Sequence, residues 1–495
     1  MDDNKNDNKN DNKNDNKNDN KNDENEKENK KYTKKLNERN FIKDNILLVF
    51  IPIIISIIIY LLMNNSKLNK RVEELESKIE NMNKEVVKKK IKIAFITQHL
   101  FINGIARFIT ILSGLLVKTG KYDVYLINEE KSELDFNYNK KVKRVILKRE
   151  MQEIKDFDEE NDIQIYILNN DLSDLIDIYH SFGKKVIGIF HGVYLSCAFS
   201  NHTQMYPFWQ IYKKLDSFVH IIPDDYWIYK KFKFNNTIFI PNIYTFESTK
   251  TPSSQLIYKN ILMVGRMDDV LKGAIYGIQA MAEIVKEVPD AKLTIIGVNP
   301  PQHLIDLIKE LKIEDSVSWP GFSTNITEFY LNTSVLLVTS VSESFPMVMN
   351  EGKAHGLPIV AFNIDYCPCF QSGVITVEMF NYKEMAKETI KLLKDYHYRK
   401  EKGKESKLSL QNYINNDETI EMWDRLFHSL LSDNIEDYKE FQKEVEDKFY
   451  NESLAKKHLE KHYNYAQQFN KYFICHSFEN FTNLDYINNI EACRI

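Results

Sequence analysis

The 495-residue chain carries 66 Lys and Arg against 71 Asp and Glu, a formal net charge of −5, so nothing in its overall charge points to nucleic acid as a partner. Its length allows two or three domains of about 100–200 residues, and 43% hydrophobic with 12% aromatic residues suffices for sizeable cores. Five irregularly spaced cysteines exclude a disulfide framework; Cys367-Pro-Cys369 offers only two metal ligands with no matching pair, so no metal site is expected.

Residues 1–45 read as a disordered polar tail. DNKN repeats five times from Asp3, and nothing apolar follows Met1 until Tyr32. Such a segment buries too little surface to offset its ordering entropy, and it lacks the early apolar run of a signal peptide. Residues 46–63, ILLVFIPIIISIIIYLLM, are 18 residues without a charge and apolar on every face; they are expected to form a transmembrane helix. Lys30, Lys31, Lys34, Lys35, Arg39 and Lys43 lie just before it, and Lys67, Lys70, Arg71 and Lys78 just after it. That bias tilts the tail towards the cytoplasm and the rest of the chain towards the lumen. Seven N-x-S/T sequons are compatible with lumenal exposure. The expectation is a single-pass membrane protein of type II orientation in the Golgi or endoplasmic reticulum. Over residues 64–90, Leu68, Val72, Leu75, Ile79, Met82 and Val86 repeat at 4-3-4-3-4 spacing. This is an a/d seam, either a short coiled-coil stem joining copies of the chain through residues 68–86 or a single charged helix.

From Ile91 the pattern becomes α/β. Short apolar runs occur at 91–97, 122–128, 142–147, 163–169, 186–190, 218–222 and 237–241, then at 260–265, 292–297, 335–339, 358–362 and 374–377, with amphipathic stretches between them. Continuous apolar strands between helices indicate parallel sheets covered on both faces. The two series, separated by TFESTKTPSSQ (245–255), predict two Rossmann-like domains over 91–244 and 256–400. Helices are expected over 401–432, and 433–495 is a charged, aromatic extension without an assigned role.

Open α/β sheets bind ligands at the C-terminal ends of their strands. Neither domain has GxGxxG or GxxxxGK[ST], which argues against a dinucleotide cofactor and a P-loop. After the NILMV strand comes GRMDDVLKG, where Arg266 and Lys272 either converge on a diphosphate or stand as solvated surface cations. In SESFPMVMNEGKAHGLP (342–358), Ser344 can cap a helix, Pro346 suits its start and Gly356 suits the left-handed residue after its end. Glu343 then lies over the helix mouth and Glu351 inside its first turns. A helix N-terminus favours an anion, whereas flanking carboxylates suit sugar hydroxyls. A nucleotide diphospho-sugar offers hydroxyls on both sides of its pyrophosphate. Asp156-Phe-Asp158 has the letters of a DxD metal motif but lies in the run DFDEEND, expected to be a solvated loop. His458 and His462 can share a helix face yet lack a third ligand.

GRMDDVLKG followed by ESFPMVMNEGKAHGLPIVAF resembles glycosyltransferase family 4, the glycosyl transferases group 1 domain, which has the GT-B fold. The resemblance extends over about residues 91–430. It implies that Arg266 and Lys272 hold the donor diphosphate, that Glu343 touches the donor sugar and Glu351 the nucleotide ribose, and that the loop formed by Ser344, Phe345, Pro346, Met347 and Val348 binds sugar and phosphate. IAFITQHLFINGIAR resembles the family's first strand and Gly-rich loop, with the usual Gly-Gly reduced to Asn103-Gly104; Gly104 is expected beside the donor. GIFHGVY resembles the strand ending in the histidine near the donor sugar, His191, whose other reading is a packed strand-end residue. FIPN (239–242) resembles the strand end before the interdomain hinge. By the same resemblance the first domain takes the acceptor and the second the donor; Tyr194, Tyr206, Phe208 and Trp209 of the first either stack a glycan or merely pack. The implied activity is retaining, metal-independent hexosyl transfer from a nucleotide diphospho-sugar to a glycan, lipid-linked or protein acceptor, with His191 and Glu343 at the reacting centre and no cofactor. A sugar phosphorylase of the same fold and a catalytically silent membrane-tethered scaffold are the rival readings.

Overall fold

The structure, a computed structural model, describes residues 90–473 apart from 102, 170–173, 194–210, 268–269, 324, 368–372, 411–414 and 433–434, together with 55, 56 and 58. The expected tail, almost all of the expected transmembrane segment, the stem up to residue 89, the aromatics Tyr194, Tyr206, Phe208 and Trp209, and residues 474–495 lie outside the described residues. Among the described residues no helix is long and apolar enough to cross a membrane. The chain divides into two units, Met1–Lys89 and Lys90–Ile495, and the second holds everything that follows.

The first lobe runs β1 (Ile91–Ile96), α1 (Gly104–Lys118), β2 (Tyr122–Asn128), β3 (Lys143–Ile146), α2 (Met151–Asn161), β4 (Ile165–Asn169), α3 (Asp174–Ser181), β5 (Lys185–Phe190), β6 (Ser217–His220), α4 (Pro223–Lys231) and β7 (Thr237–Phe239). Its seven strands pair in parallel in the order β3-β2-β1-β4-β5-β6-β7. β-Branched and aromatic residues suit these strands because most are buried on both faces: Ile93, Phe95, Ile165, Ile167 and Ile187 have no exposed surface.

The second lobe runs β8 (Asn260–Val264), a 3₁₀ turn (Val270–Lys272), α5 (Ala274–Glu287), β9 (Lys292–Ile296), α6 (Gln302–Glu310), β10 (Val317–Gly321), α7 (Ile326–Leu331), β11 (Val335–Val338), α8 (Met347–Ala354), β12 (Ile359–Phe362), β13 (Val374–Val377), α9 (Tyr382–Lys394) and α10 (Tyr396–Ser409). Its sheet, also parallel, has the order β10-β9-β8-β11-β12-β13. Every apolar run in the sequence forms a strand, and β10 is one strand more. Its sequence, VSWPG, has only two strongly apolar residues and ends in Pro-Gly. It is tolerated because β10 is an edge strand, where the register to β9 shifts between Ser318 and Gly321.

Three further corrections concern boundaries and local structure. The boundary expected at residue 400 falls inside α10, so the second lobe ends near Ser409. The linker over 245–255 is tied down: Ser254 donates its N–H to the His355 carbonyl at 2.8 Å and its hydroxyl to the Thr333 carbonyl at 2.6 Å. The DFDEEND run is helical, part of α2; Asp158 is buried, accepting from the Tyr166 hydroxyl at 2.7 Å, with Lys184 Nζ at 3.3 Å.

Three helices follow among the described residues, the first within the helical stretch expected over 401–432 and the other two in the extension left unassigned from sequence. Helix α11 (Asn416–Leu431) returns to the first lobe: Asp424 pairs with Lys121 at 3.0 Å and accepts from the Tyr122 hydroxyl, and Asn416 exchanges two bonds with the Tyr244 backbone. Helix α12 (Ile435–Phe449) covers the edge strand β7. Gln442 donates to the carbonyls of Thr237 and Asn235 at 2.8 and 2.9 Å, and the Tyr438 hydroxyl donates to that of Asn236 at 2.9 Å. Satisfying these strand carbonyls removes a template for edge pairing. Helix α13 (Glu452–Phe473) follows.

Candidate functional site

Both sheets reverse their strand order, the first between β1 and β4 and the second between β8 and β11. In open parallel sheets a crevice forms at such a switch point, outside the carboxyl ends of the strands. Here the loops after β1, β5, β8 and β11 border one cleft of about 370 Å³ between the lobes. His191, Glu343, Gly104, Arg266, Lys272, Ser344, Phe345, Pro346, Met347, Val348 and Glu351 all line it. The structure thus brings these eleven residues to one place, and the distances give their arrangement.

On the second lobe, Arg266 follows β8 and Lys272 ends the 3₁₀ turn. Gly273 caps α5 in the left-handed conformation (φ 62°), and a Cβ there would lie 2.3 Å from the Thr339 carbonyl oxygen, so only glycine fits. That close approach sets the Lys272 turn against the end of β11. Lys272 Nζ lies 2.5 Å from Glu343 Oε1, so the cation and the loop carboxylate form an ion pair at the cleft wall. The Glu343 N–H donates to the Tyr366 hydroxyl at 3.3 Å.

Helix α8 starts at Met347 behind Pro346, and no side chain caps it. The expected Ser344 cap is absent for a specific reason: the Ser344 hydroxyl donates instead to the His191 carbonyl at 2.6 Å, across the cleft. Ser344 is a tie between the lobes. At the other end Gly356 takes the left-handed conformation (φ 69°) that the sequence predicted.

Glu351 is only 3% exposed. Its Oε1 lies 2.7 Å from Arg107 Nε of α1, in the opposite lobe, and its Oε2 accepts from the Tyr330 hydroxyl of α7 at 2.8 Å. Burial and the neighbouring carboxylate push the Tyr330 pKa far up, so the hydroxyl stays protonated and donates. A ligand hydroxyl reaching Glu351 therefore has to share or displace Arg107. Arg107 and Tyr330 were not singled out from the sequence. Arg107 sits three residues beyond Gly104, in the first turn of α1, but nothing local links it to Glu351.

On the first lobe, Asn103 has extended backbone and its side chain accepts from the Ala106 N–H at 2.6 Å, capping α1. This explains the departure from Gly-Gly: the first position needs no left-handed backbone, and Asn adds a cap worth about 1 kcal/mol over an uncapped residue. A Cβ on Gly104 would meet Met347 Sδ at 4.0 Å, so the beginnings of α1 and α8 face each other.

His191 Nε2 lies 2.8 Å from Asn169 Oδ1. Asn169 Nδ2 donates to the carbonyls of Ile96 and Ile167 at 3.3 and 3.2 Å, which fixes the amide orientation. The ring therefore carries its proton on Nε2 and leaves Nδ1 as an acceptor. Burial pulls the His191 pKa down to about 3, so the imidazole is neutral at ordinary pH. Asn169, fully buried at the end of β4, is a positioning residue the sequence reading missed.

Comparison with known proteins places this geometry. Residues 248–409 match the family model of the glycosyl transferases group 1. A 135-residue stretch is 37% identical to a glycosyltransferase of Haemophilus influenzae, covering 27% of this chain and 38% of that protein. Another of 178 residues is 29% identical to N-acetyl-alpha-D-glucosaminyl L-malate synthase of Bacillus anthracis, covering 35% and 45%. The chain thus spans less than half the length of these curated relatives. Among solved structures, sucrose-phosphate synthase of Thermosynechococcus elongatus aligns with a TM-score of 0.59 at 16% identity, over 69% of this chain and all but 1% of that one, 99% being covered. Anabaena HepE, solved with UDP-glucose, gives 0.54 at 13% identity over 68% and 99%.

The fold defines the class, a two-lobed GT-B protein with a cleft at paired switch points. The second lobe carries the stretch that matches the glycosyl transferases group 1, residues 248–409, and the chain is similar there to family 4 glycosyltransferases.

Proposed function

We propose that this chain transfers a hexosyl group from a nucleotide diphospho-sugar to an acceptor hydroxyl, with retention of configuration and without a metal ion. The observation that carries the reading is the meeting of Arg266, Lys272, Glu343 and the start of α8 in one cleft at the switch points of two sheets. The UDP, glucose and UDP-glucose bound in the Anabaena HepE structures support the choice of donor class.

In this reading the donor diphosphate lies against the beginning of α8, whose backbone N–H groups and positive dipole end favour it. Arg266 supplies a planar fork and Lys272 a point charge as negative charge grows on the departing nucleoside diphosphate. Lys272 is paired to Glu343; donor binding draws it towards phosphate and frees Glu343 to accept from a sugar hydroxyl. Glu351 accepts from the ribose once Arg107 yields one of its oxygens. His191, neutral and oriented by Asn169, offers hydrogen bonding at the sugar without adding charge. The bond from the anomeric carbon to the diphosphate oxygen breaks, the acceptor oxygen bonds to that carbon from the same face, and the acceptor's hydroxyl proton passes to the departing diphosphate oxygen. The acceptor is a glycan, a lipid-linked sugar or a protein, taken by the first lobe.

The apolar run 46–63 anchors the chain in the Golgi or endoplasmic reticulum membrane in type II orientation, and residues 68–86 join copies into an oligomeric stem. Resistance to alkaline extraction from membranes, lost on deleting 46–63, tests the anchor. For the activity, the purified full chain is screened for hydrolysis of UDP- and GDP-sugars. A donor hydrolysed by the native chain and not by Arg266→Ala or Lys272→Ala supports the reading, and unchanged turnover in both variants sinks it.

A further inference from the structure

Helix α13 lies beyond the group 1 domain, which ends at residue 409, yet it folds back onto the body of the protein. Its side chains contact both lobes. His458 Nδ1 is 2.8 Å from Asp224 Oδ2, on α4 of the first lobe. One turn later, Lys461 Nζ and His462 Nε2 both bond Asp365, at 2.7 Å each, in the loop after β12 of the second lobe. The His462 ring is completely buried and stands edge-on to Tyr366, with centroids 4.6 Å apart at 87°. The Tyr366 hydroxyl is the group that accepts the Glu343 N–H. A continuous set of contacts therefore runs from α13 through Asp365 and Tyr366 to the backbone of Glu343 and, through its side chain, to Lys272.

We propose that α13 is a clasp that holds the Glu343 loop in place, with His462 as its positioning residue. His462 touches no expected substrate atom. It fixes Asp365 and presents the Tyr366 ring so that its hydroxyl meets Glu343, while His458 anchors the same helix to the opposite lobe. The i, i+4 spacing of the two histidines puts them on one helix face, and a second shell locked in this way sets the accuracy of the groups it supports. The inference rests on the transfer reading for its consequence, since Glu343 is there the residue that meets the donor sugar.

The test compares the native full chain with His462→Phe, which keeps a ring but loses the bond to Asp365, His462→Gln, which keeps a donor, and Tyr366→Phe. Amide hydrogen exchange of the peptide spanning residues 340–346 is read first. His462→Phe and Tyr366→Phe are expected to speed it about fivefold and His462→Gln to restore it, since one net hydrogen bond is worth about 1 kcal/mol. For the nucleotide sugar the native chain hydrolyses, kcat/KM is expected to fall about tenfold in the first two variants. The Kd for UDP or GDP, by calorimetry, should stay within about twofold because Glu343 meets sugar and not diphosphate. Native exchange at 340–346 in His462→Phe overturns the clasp, as does equal loss of sugar turnover and nucleotide affinity. If the native chain binds neither UDP nor GDP while His462→Phe still speeds exchange, the transfer reading fails and the clasp stands.

Discussion

The two lobes build the same motif, a strand, a loop and a helix beginning at a switch point, and finish it differently. In the first lobe the start of α1 is capped by Asn103, whose side chain takes the Ala106 N–H. In the second, α8 begins behind Pro346 with no side-chain cap, because Ser344 is turned away to His191. A side-chain cap satisfies backbone N–H groups that would otherwise serve a ligand. Under the proposed transfer reading, the uncapped start of α8 takes the anion, and α1 supplies close approach at Gly104 and the Arg107 arm.

The largest effect is expected at the cations beside α8. Arg266→Ala and Lys272→Ala should each lower donor turnover at least about 100-fold, about 3 kcal/mol of transition-state stabilisation, measured as kcat/KM for the best donor. Comparable losses on removing the Asn103 cap would erase the distinction between the lobes. Next comes the arm itself. Arg107→Ala leaves Glu351 buried with only Tyr330 as partner, and urea unfolding should show destabilisation on the order of 2–3 kcal/mol, largely relieved by adding Glu351→Gln. Failure of the second change to rescue would mean the pair is not the source of the loss.

Asn103→Ala should cost about 1 kcal/mol of stability and leave nucleoside diphosphate affinity within about twofold, if α1 does not hold the anion. A large drop in affinity by calorimetry would contradict that. The smallest effect at neutral pH, and one that appears only in acid, concerns His220 at the end of β6. It is fully buried, neither ring nitrogen has a hydrogen-bond partner among the described residues, and burial lowers its pKa to about 3. The unfolded chain, with an ordinary histidine pKa near 6.5, binds more protons between those values. Stability contributed by the neutral ring is therefore complete above pH 6.5 and is lost as the pH falls towards 3. His220→Phe should flatten the fall in Tm across that range relative to the native chain; parallel curves would show that the histidine does not titrate this way.

Legibility followed the range of the interactions. The buried strands announced themselves because a strand covered on both faces must be apolar throughout, and Gly356 because only a residue tolerant of positive φ ends a helix in that way. VSWPG did not, since an edge strand is half solvated and can carry proline. The Ser344 cap was a sound local expectation overruled by a carbonyl in the other lobe. DFDEEND looked solvated by composition, but Tyr166 and Lys184 draw Asp158 inward. Arg107 and Tyr330 meet Glu351 from elements far from it in the chain, and no short window of sequence could pair them.

By itself, then, the sequence determined all the strands but β10, the two-lobed α/β class and the motif residues at the cleft, because periodicity, turn chemistry and motif are properties of neighbours along the chain. Which partner each of those residues holds was decided only by the tertiary structure. Glu343 to Lys272, Glu351 to Arg107, Ser344 to His191 and Asp365 to His462 are contacts between separate elements. They exist because two sheets place their switch points against each other and the C-terminal helices fold back across both lobes.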